Sequence, residues 1–265
     1  MPHSAPSVVV GVDGSKAAIN ASCWAVEEAV GRDVPLRLVY VIEQSRNAGV
    51  EAREAQLAAA RSALYVARRA VEDTGKPVKI ETEILSGKPV ARLLEQSRSA
   101  SMICVGAIGL KHAHNGVGST STALAASALC PVAVIRRPTG QAPLPRVSGV
   151  VAHADSAAAL NYAFAEARLR QVPLRAIIVA PAGGGDDADE KRLAQAELRR
   201  RIARWTHVYP DVQMESVVVR GSVERYLAAN DEPDQLFVTD AQASSDLCGA
   251  HHTGRSVIAV RSRNL

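Results

Sequence analysis

Short apolar segments and longer amphipathic segments alternate along the whole chain. The apolar segments are rich in valine and isoleucine and have the length of strands that are buried on both faces. In a longer segment, residues 51–75, Leu57, Leu64 and Val71 recur every seven positions and give one apolar stripe along a helix. This alternation predicts a doubly wound parallel sheet with helices on both faces. Clear examples of the strand pattern are SVVVGVD (7–13), PLRLVYVIE (35–43) and SMICVGA (101–107).

The same pattern occurs twice in the sequence. VVVGVD (8–13) returns as VVAHAD (150–155), and VPLRLVYV (34–41) returns as VPLRAIIV (172–179). An internal repeat of this kind indicates two copies of one structural unit. Between the copies, RPTGQAPLPR (137–146) has the proline and glycine content of a linker. We therefore predict two tandem Rossmann-like α/β domains, residues 1–138 and 147–265, each with a mainly parallel five-stranded sheet.

The second copy is shorter than the first at particular places. Corresponding residues are 142 positions apart in strand one, 138 in strand two, 134 in strands three and four, and 125 in strand five. The first loss follows Asp13, and the last falls between strands four and five. Both lie at the carboxyl ends of strands, where open α/β sheets bind their ligands. The pattern indicates a ligand site that the first copy keeps and the second has lost.

A glycine-rich loop, GAIGLKHAHNGVGSTS (106–121), connects strand four of the first copy to the next helix. Such a loop can expose backbone N–H groups beside the positive end of the helix, which favours anionic oxygen, with the hydroxyls of Ser119 and Thr120 as further donors. The alternative is a glycine-rich turn in which Ser119 only caps the helix. The sequence contains neither a Walker motif nor G-x-G-x-x-G, which disfavours ordinary P-loop and dinucleotide sites.

Composition and charge exclude several classes of protein. The net charge of +4 is only mildly basic. The basic run LRRRIAR (198–204) has the spacing of a solvated helix face, with no aromatic platform for stacking bases, so we predict no nucleic-acid partner. No apolar run approaches the ~18 residues of a membrane span, and MPHSAPS at the start lacks the order of a signal peptide. We therefore predict a cytoplasmic protein with no membrane partner.

Metal binding and catalysis are also disfavoured. The cysteines are scattered without a C-x-x-C motif, which predicts free thiols. His112 and His114 have no neighbouring carboxylate or cysteine partner, His251 and His252 are interpreted in the same way, and no nucleophile–base pair has catalytic spacing. We predict no metal site and no enzyme activity beyond slow incidental hydrolysis. The residues in question are Cys23, Cys104, Cys130, Cys248, His112, His114, His251 and His252.

Three stretches of the first copy resemble the universal stress protein family. They are VVVGVDGS at strand one, VYVIE at strand two, and VGAIG…GSTSTALAASALCPVAVI at the end of the copy. The resemblance spans the chain as a tandem of two such domains and is greatest to tandem mycobacterial members, including those of the hypoxia (dormancy) response. The family's ATP-binding signature is G-x-x-G, nine residues, then G-[ST]. Here Gly106 and Gly109 are followed by eight residues and then Gly118 and Ser119, one residue fewer.

The resemblance implies an adenine nucleotide, ATP with Mg²⁺, in the first copy. The adenine would lie against Asp13 and the backbone of Val41, with Gly11 allowing close approach. From the residues alone, Asp13 is equally the N-cap of the following helix. The ribose and phosphates would lie along Gly106, Gly109, Gly118, Ser119 and Thr120.

The second copy lacks this loop pattern, because Asp240 and Ala243 stand at the positions of Gly106 and Gly109. We therefore expect at most one nucleotide per chain. The resemblance implies a regulatory stress-response protein with an adenine nucleotide and a signalling protein as its partners. The alternative function is a protein-interaction module that binds no nucleotide.

The fifth strands of the two copies, PVAVIRR (131–137) and SVIAVRS (256–262), carry alternating apolar residues. In the family arrangement they lie at sheet edges, and two such edges in one chain can cover each other. We therefore expect an internal pseudo-dimer of the two domains. The resemblance also allows a homodimer of whole chains.

Overall fold

A computed structural model of the 265-residue chain divides into two compact units, Met1–Arg137 and Pro138–Leu265, called unit 1 and unit 2 below. The residues that the structure describes are 6–43, 49–107, 119–136, 146–180, 187–230, 232, 234–242 and 255–261.

Strands and helices alternate in unit 1. The strands are short and rich in valine, isoleucine and leucine, and the helices have apolar stripes. In order, the elements are β1 (Val8–Val12), α1 (Lys16–Gly31), β2 (Leu36–Ile42), α2 (Val50–Glu72), β3 (Ile80–Ser86), α3 (Pro89–Gln96), β4 (Met102–Gly106), α4 (Ser119–Ser127) and β5 (Val132–Ile135).

The five strands of unit 1 form a parallel sheet in the order β3-β2-β1-β4-β5. The central strand β1 carries Val8, Val9 and Val10, all fully buried, as expected for a strand covered on both faces. The chain moves outward from β1 to β3, crosses back to β4 and ends at β5. The predicted doubly wound, mainly parallel α/β architecture is confirmed.

Unit 2 repeats this architecture with the strand order β10-β9-β6-β7-β8, again parallel. Its elements are β6 (Gly149–His153), α5 (Ala157–Arg170), β7 (Leu174–Val179), α6 (Asp187–Val208), β8 (Met214–Val219), α7 (Val223–Ala229), β9 (Gln235–Asp240) and β10 (Ser256–Val260).

The strand registers reproduce the spacing of the sequence repeat. In unit 1, Val8 pairs with Leu36 of β2 and Met102 of β4, whereas in unit 2 Val150 pairs with Leu174 of β7 and Leu236 of β9. These pairs are 142, 138 and 134 residues apart, as the sequence comparison gives. The registers therefore fix which residues correspond. Gly11 corresponds to His153, Asp13 to Asp155, Val41 to Val179 and Gly106 to Asp240.

The first four-residue loss removes the start of the helix that follows strand one. A buried glutamate recurs as Glu28 in α1 and Glu166 in α5, 138 residues apart, each paired with an arginine four positions later. Helix α1 is capped by Ser15, but α5 is capped by Ser156, which corresponds to Ala18. Residues 14–17, the turn and the first residues of α1, therefore have no counterpart in unit 2.

Candidate functional site

The carboxyl ends of β1 and β4 form the topological switch point of unit 1. The connection from β1 leads to β2 on one side of this point, and the connection from β4 leads to β5 on the other. Asp13 follows β1 directly, and Gly106 is the last residue of β4. Ligands of open α/β sheets bind in the crevice at this point. The structure therefore places these two predicted site residues at the part of the sheet where a ligand is expected.

The turn after β1 holds the carboxylate of Asp13 in place. Its Oδ1 accepts a hydrogen bond from the backbone N–H of Ser15 at 2.9 Å, across Gly14, whose φ is 86°. The side chain of Ser15 accepts from the N–H of Ala18 at 3.1 Å and is the N-cap of α1. The alternative interpretation of Asp13 as the N-cap is therefore wrong, because its carboxylate closes the preceding turn instead.

The backbone of Val41 lies beside the end of β1. The N–H of Val8 donates to the carbonyl of Pro35 at 2.9 Å. Backbone polar groups point to alternate sides along a strand, so every second residue of β2 from Pro35 to Val41 directs its N–H and C=O towards β1. Because β1 ends at Val12, the carbonyl of Val41 is directed past the end of β1. This carbonyl therefore faces the region just beyond β1, where Asp13 is the next residue of the chain.

Gly106 is a glycine because α1 lies against it. A Cβ atom built on Gly106 would be 2.6 Å from the carbonyl carbon of Ala17 and 2.7 Å from its Cβ. Gly11 is similarly crowded by protein, since its Cβ would lie 3.2 Å from both Leu93 Cδ1 and Val105 Cγ1. Within the described residues, these two glycines therefore allow close packing of α1 and α3 on the sheet.

The phosphate end of the predicted site is only partly described. Ser119 is the first residue of α4, and Thr120 follows it with a half-buried side chain. Gly109 and Gly118 lie outside the described residues. The residues at this end therefore stay a prediction from the sequence.

In unit 2, an ionic network occupies the end of β6. Nε2 of His153 lies 3.0 Å from Oδ2 of Asp155 without forming a hydrogen bond. Arg201 from α6 donates to Asp155 Oδ1 at 2.7 Å and to the carbonyl of Ala154 at 3.1 Å. His153 lowers the pKa of the Asp155 carboxyl most; partial burial opposes this, and Arg201 lowers the pKa further. The counterpart of Asp13 is thus held by charged neighbours of its own unit.

Asp240 completes this closure at the end of β9. Its Oδ2 accepts a hydrogen bond from the hydroxyl of Ser156 at 3.0 Å, and its Oδ1 accepts from the N–H of Gln242 at 2.9 Å. A side chain fits at this position because unit 2 has no counterpart of Ala17, the residue that crowds Gly106. The exchange of glycine for aspartate therefore accompanies the loss of the first turn of the helix.

The two units differ systematically in side-chain volume at the switch point. In helix α6, Ala194 and Leu198 are buried at the positions of Ala60 and Leu64 of α2, which makes Arg201 the counterpart of Ala67. Three side chains reach the strand ends in unit 2, and a residue with no side chain or only a methyl group stands at each of these positions in unit 1. The pairs are His153 and Gly11, Arg201 and Ala67, and Asp240 and Gly106.

Arg201 corrects one part of the sequence interpretation. Arg200 is exposed and pairs with Glu197, as expected for a solvated helix face. Arg201, by contrast, bridges Glu197 to Asp155. A residue of LRRRIAR therefore belongs to the closed end of unit 2. No local signal of this contact is present in the sequence, because the two partners are 46 positions apart.

No group of three or more metal-ligating side chains comes together in the described parts of the chain. His112, His114, His251, His252 and Cys248 lie outside them. Cys23, Cys104 and Cys130 are free thiols. Burial raises the pKa of the Cys130 thiol to about 12, so it stays protonated and unreactive at neutral pH. None of the helices in the described ranges has the length and apolarity needed to cross a membrane.

Comparison with known proteins agrees with this doubly wound architecture. The model of the universal stress protein family matches residues 6–136. A universal stress protein of Mycobacterium tuberculosis is 52% identical over 266 residues, which cover 100% of this chain and 99% of the relative. The chain therefore belongs to the universal stress protein family, and its full length matches that of a tandem mycobacterial member.

Two solved structures show how far the structural similarity extends. A universal stress protein from Archaeoglobus fulgidus matches with a TM-score of 0.70 over 96% of each chain at 16% identity, which shows a shared fold. A family protein from Arabidopsis thaliana with AMP bound matches 52% of this chain and 95% of its own, with a TM-score of 0.37 and 21% identity. The bound AMP is a property of that protein.

Proposed function

We propose that this universal stress protein binds ATP, or a related adenine nucleotide, at the switch point of unit 1. The observation that carries the proposal is the contrast between the units. Unit 2 places His153, Arg201 and Asp240 at the strand ends, and unit 1 has glycine or alanine at all three positions. Leu93, Val105 and Ala17 already pack against Gly11 and Gly106, so the contrast concerns the charged side chains that reach the strand ends of unit 2 and have no counterpart in unit 1. A ligand of an open α/β sheet binds at these strand ends.

The groups at this end of unit 1 are suited to an adenine base. The carbonyl of Val41, directed past the end of β1, accepts a hydrogen bond from the exocyclic amino group. The carboxylate of Asp13 lies beside it, fixed by its bond to the N–H of Ser15. The ribose and phosphates extend towards the start of α4, where Ser119, Thr120 and the positive end of the helix favour anionic oxygen. Mg²⁺ accompanies the phosphates.

The role that fits this site is regulatory. Neither the sequence nor the described residues place a nucleophile beside a general base at the switch point, and binding without rapid turnover suits a protein whose output is its nucleotide-bound state. We propose a cytoplasmic stress-response protein of the hypoxia (dormancy) type that acts through a signalling protein. Accumulation of the protein under oxygen limitation, compared with heat stress as a control, tests the hypoxia assignment.

Isothermal titration with Mg-ATP tests the nucleotide site. We expect one equivalent per chain, because only unit 1 has the small residues at its strand ends. Asp13→Ala should abolish the heat of binding. Asp155→Ala, the matched control in unit 2, should leave it unchanged.

Other outcomes would count against the proposal. Two equivalents, or binding that is lost only in Asp155→Ala, would move the site to unit 2. No heat and no thermal shift at millimolar Mg-ATP would favour the alternative function, a protein-interaction module without nucleotide. Mass analysis of any small molecule released on denaturation of the purified protein provides an independent check.

A further inference from the structure

An open groove lies on unit 1 away from the switch point, between α2 and the edge strand β3. Its volume is about 470 Å³. Two arginines and an exposed tyrosine form the helical wall, and two apolar side chains form much of the floor. The lining residues are Arg61, Leu64, Tyr65, Arg68, Thr82 and Ile84.

The helical wall of the groove carries unused positive charge. Among the residues that the structure describes, Arg61 has no acidic partner. Arg68, two turns further along the helix, pairs with Glu72 at the surface, a contact that contributes little in water. Tyr65 lies between them with 65% of its surface exposed. This wall is suited to an anionic group that lies beside an apolar one.

The strand wall of the groove offers backbone hydrogen bonds. The N–H of Leu36 donates to the carbonyl of Lys79, so odd-numbered residues of this segment face β2. The even-numbered residues Thr82 and Ile84 therefore direct their N–H and C=O groups outward. Beyond them, the carbonyl of Ser86 already accepts from Arg92. Within the described residues, outward backbone groups of β3 that lack a protein partner thus lie at the groove.

Unit 2 provides an internal comparison in which the corresponding surface is closed. Gln195, at the position of Arg61, donates to the hydroxyl of Ser216, the counterpart of Thr82, at 2.9 Å. Ile202, at the position of Arg68, is only 4% exposed. Unit 1 therefore has charged side chains and an open groove where unit 2 has a hydrogen bond between two of its own side chains and a buried isoleucine.

We propose that this groove binds an extended acidic segment of a partner protein, which adds as a strand to the free edge of β3. Backbone bonds to Thr82 and Ile84 supply affinity, and acidic side chains on one face of the added strand meet Arg61 and Arg68. The two arginines are about 10 Å apart along the helix axis, within reach of acidic residues at alternate positions of a strand.

The charge of the groove also argues against a second copy of this chain as the occupant. An antiparallel β3–β3 pair would bring the arginines of both copies to the same junction, and like charges placed opposite each other oppose pairing. An acidic strand removes that repulsion. The proposal is independent of nucleotide binding, because no residue of the groove belongs to the switch point.

A fluorescein-labelled synthetic peptide that alternates glutamate and valine is the probe. We expect it to bind full-length protein, measured by fluorescence anisotropy, and to slow the hydrogen exchange of the Thr82 and Ile84 amides. Arg61→Glu should weaken binding at least tenfold. Arg53→Glu, the same charge reversal on α2 outside the groove, should change it less than twofold. Replacing glutamate by lysine in the peptide should abolish binding.

Thr82→Pro separates strand addition from simple charge attraction. The N–H of Thr82 faces away from β2, so proline removes an outward donor while the ladder to β2 remains. Strand addition predicts a loss of peptide affinity in folded Thr82→Pro and for a peptide N-methylated at alternate positions. Unchanged affinity in both cases, no binding at millimolar peptide, or amide protection that appears without peptide as the protein concentration rises would each overturn the proposal.

Discussion

The hydroxyl of Ser156 donates a hydrogen bond to the Asp240 carboxylate at 3.0 Å and joins the start of α5 to the end of β9. The corresponding place in unit 1 is filled differently, by the first residues of α1 lying against Gly106. The two units thus stabilise the same junction by different means, a polar side-chain bond in one and close backbone packing in the other.

This difference predicts unequal losses of stability when alanine is placed at the two positions. Gly106→Ala should destabilise the protein by about 1–3 kcal/mol, because the new methyl group would overlap the backbone of Ala17. Asp240→Ala, the matched control, removes hydrogen bonds without overlap and should cost about 1 kcal/mol. Urea unfolding of both variants checks this. A fully stable Gly106→Ala protein would contradict the close approach.

The network at Asp155 predicts acid sensitivity in unit 2. The neighbouring His153 and Arg201 hold the pKa of the Asp155 carboxyl below its ordinary value in the folded protein, so its contribution to stability is present above the ordinary pKa and is lost as the pH falls through the folded pKa. Because Asp155 is about half exposed to solvent, we expect its contribution to the free energy of unfolding to be less than about 1 kcal/mol. The stability difference between wild type and Asp155→Asn should therefore shrink from pH 6 towards pH 2, with a slope per pH unit of ~2.303RT times the difference in protons bound by Asp155 in the unfolded and folded states. A difference that does not change with pH would contradict this account.

The buried side chain of Arg255 leads us to expect a large loss of stability when this residue is replaced. It is 1% exposed and donates to the carbonyl of Leu227 at 2.8 Å and to that of Glu232 at 3.1 Å, which ties the end of α7 to β10. Arg255→Met should destabilise the protein by roughly 2–3 kcal/mol, because buried carbonyls lose charged donors. Arg192→Met, at an exposed surface pair, is the control and should change stability by less than about 0.5 kcal/mol.

The expected pseudo-dimer of the two domains predicts that neither half is independent. Residues 1–138 and 147–265, expressed separately, should self-associate or aggregate, because the fifth strands carry apolar residues on both faces. Light scattering of the separate halves and of their mixture measures this. Two soluble, stable monomers that ignore each other when mixed would contradict the expectation.

The fold could be predicted from the sequence because its signals are local or repeated. The apolar runs mark the strands, and the spacings between the two copies equal the spacings between paired strands. The position of Asp13 could be predicted for the same reason, since it directly follows a strand. Its role in the turn could not, because Asp13 and Ser15 are equally good caps by composition and only the backbone path separates them.

Long-range contacts account for what the sequence did not predict. In the sequence, a glycine at position 106 is equally compatible with a phosphate-binding loop and with a crowded strand end. Its contact with Ala17 depends on the angle at which α1 crosses the sheet. Arg201 lies in a basic run that is typical of a solvent-exposed helix face, and its partner Asp155 follows a different element. Arg255 stands where the first copy has Cys130, so the repeat gave no indication of a buried charge.

The missing first turn of α5 has a consequence for the order of changes in a repeated chain. With that turn in place, a side chain at position 240 would meet backbone at a cost in stability, so the cheaper path makes the deletion before the aspartate or together with it. The reverse path has the opposite order, because four residues inserted after Asp155 while Asp240 is still present would bring backbone against its side chain. To give unit 2 the junction of unit 1, Asp240→Gly comes first or together with the insertion, and the gap that it leaves beside Ser156 is filled once the four residues are present.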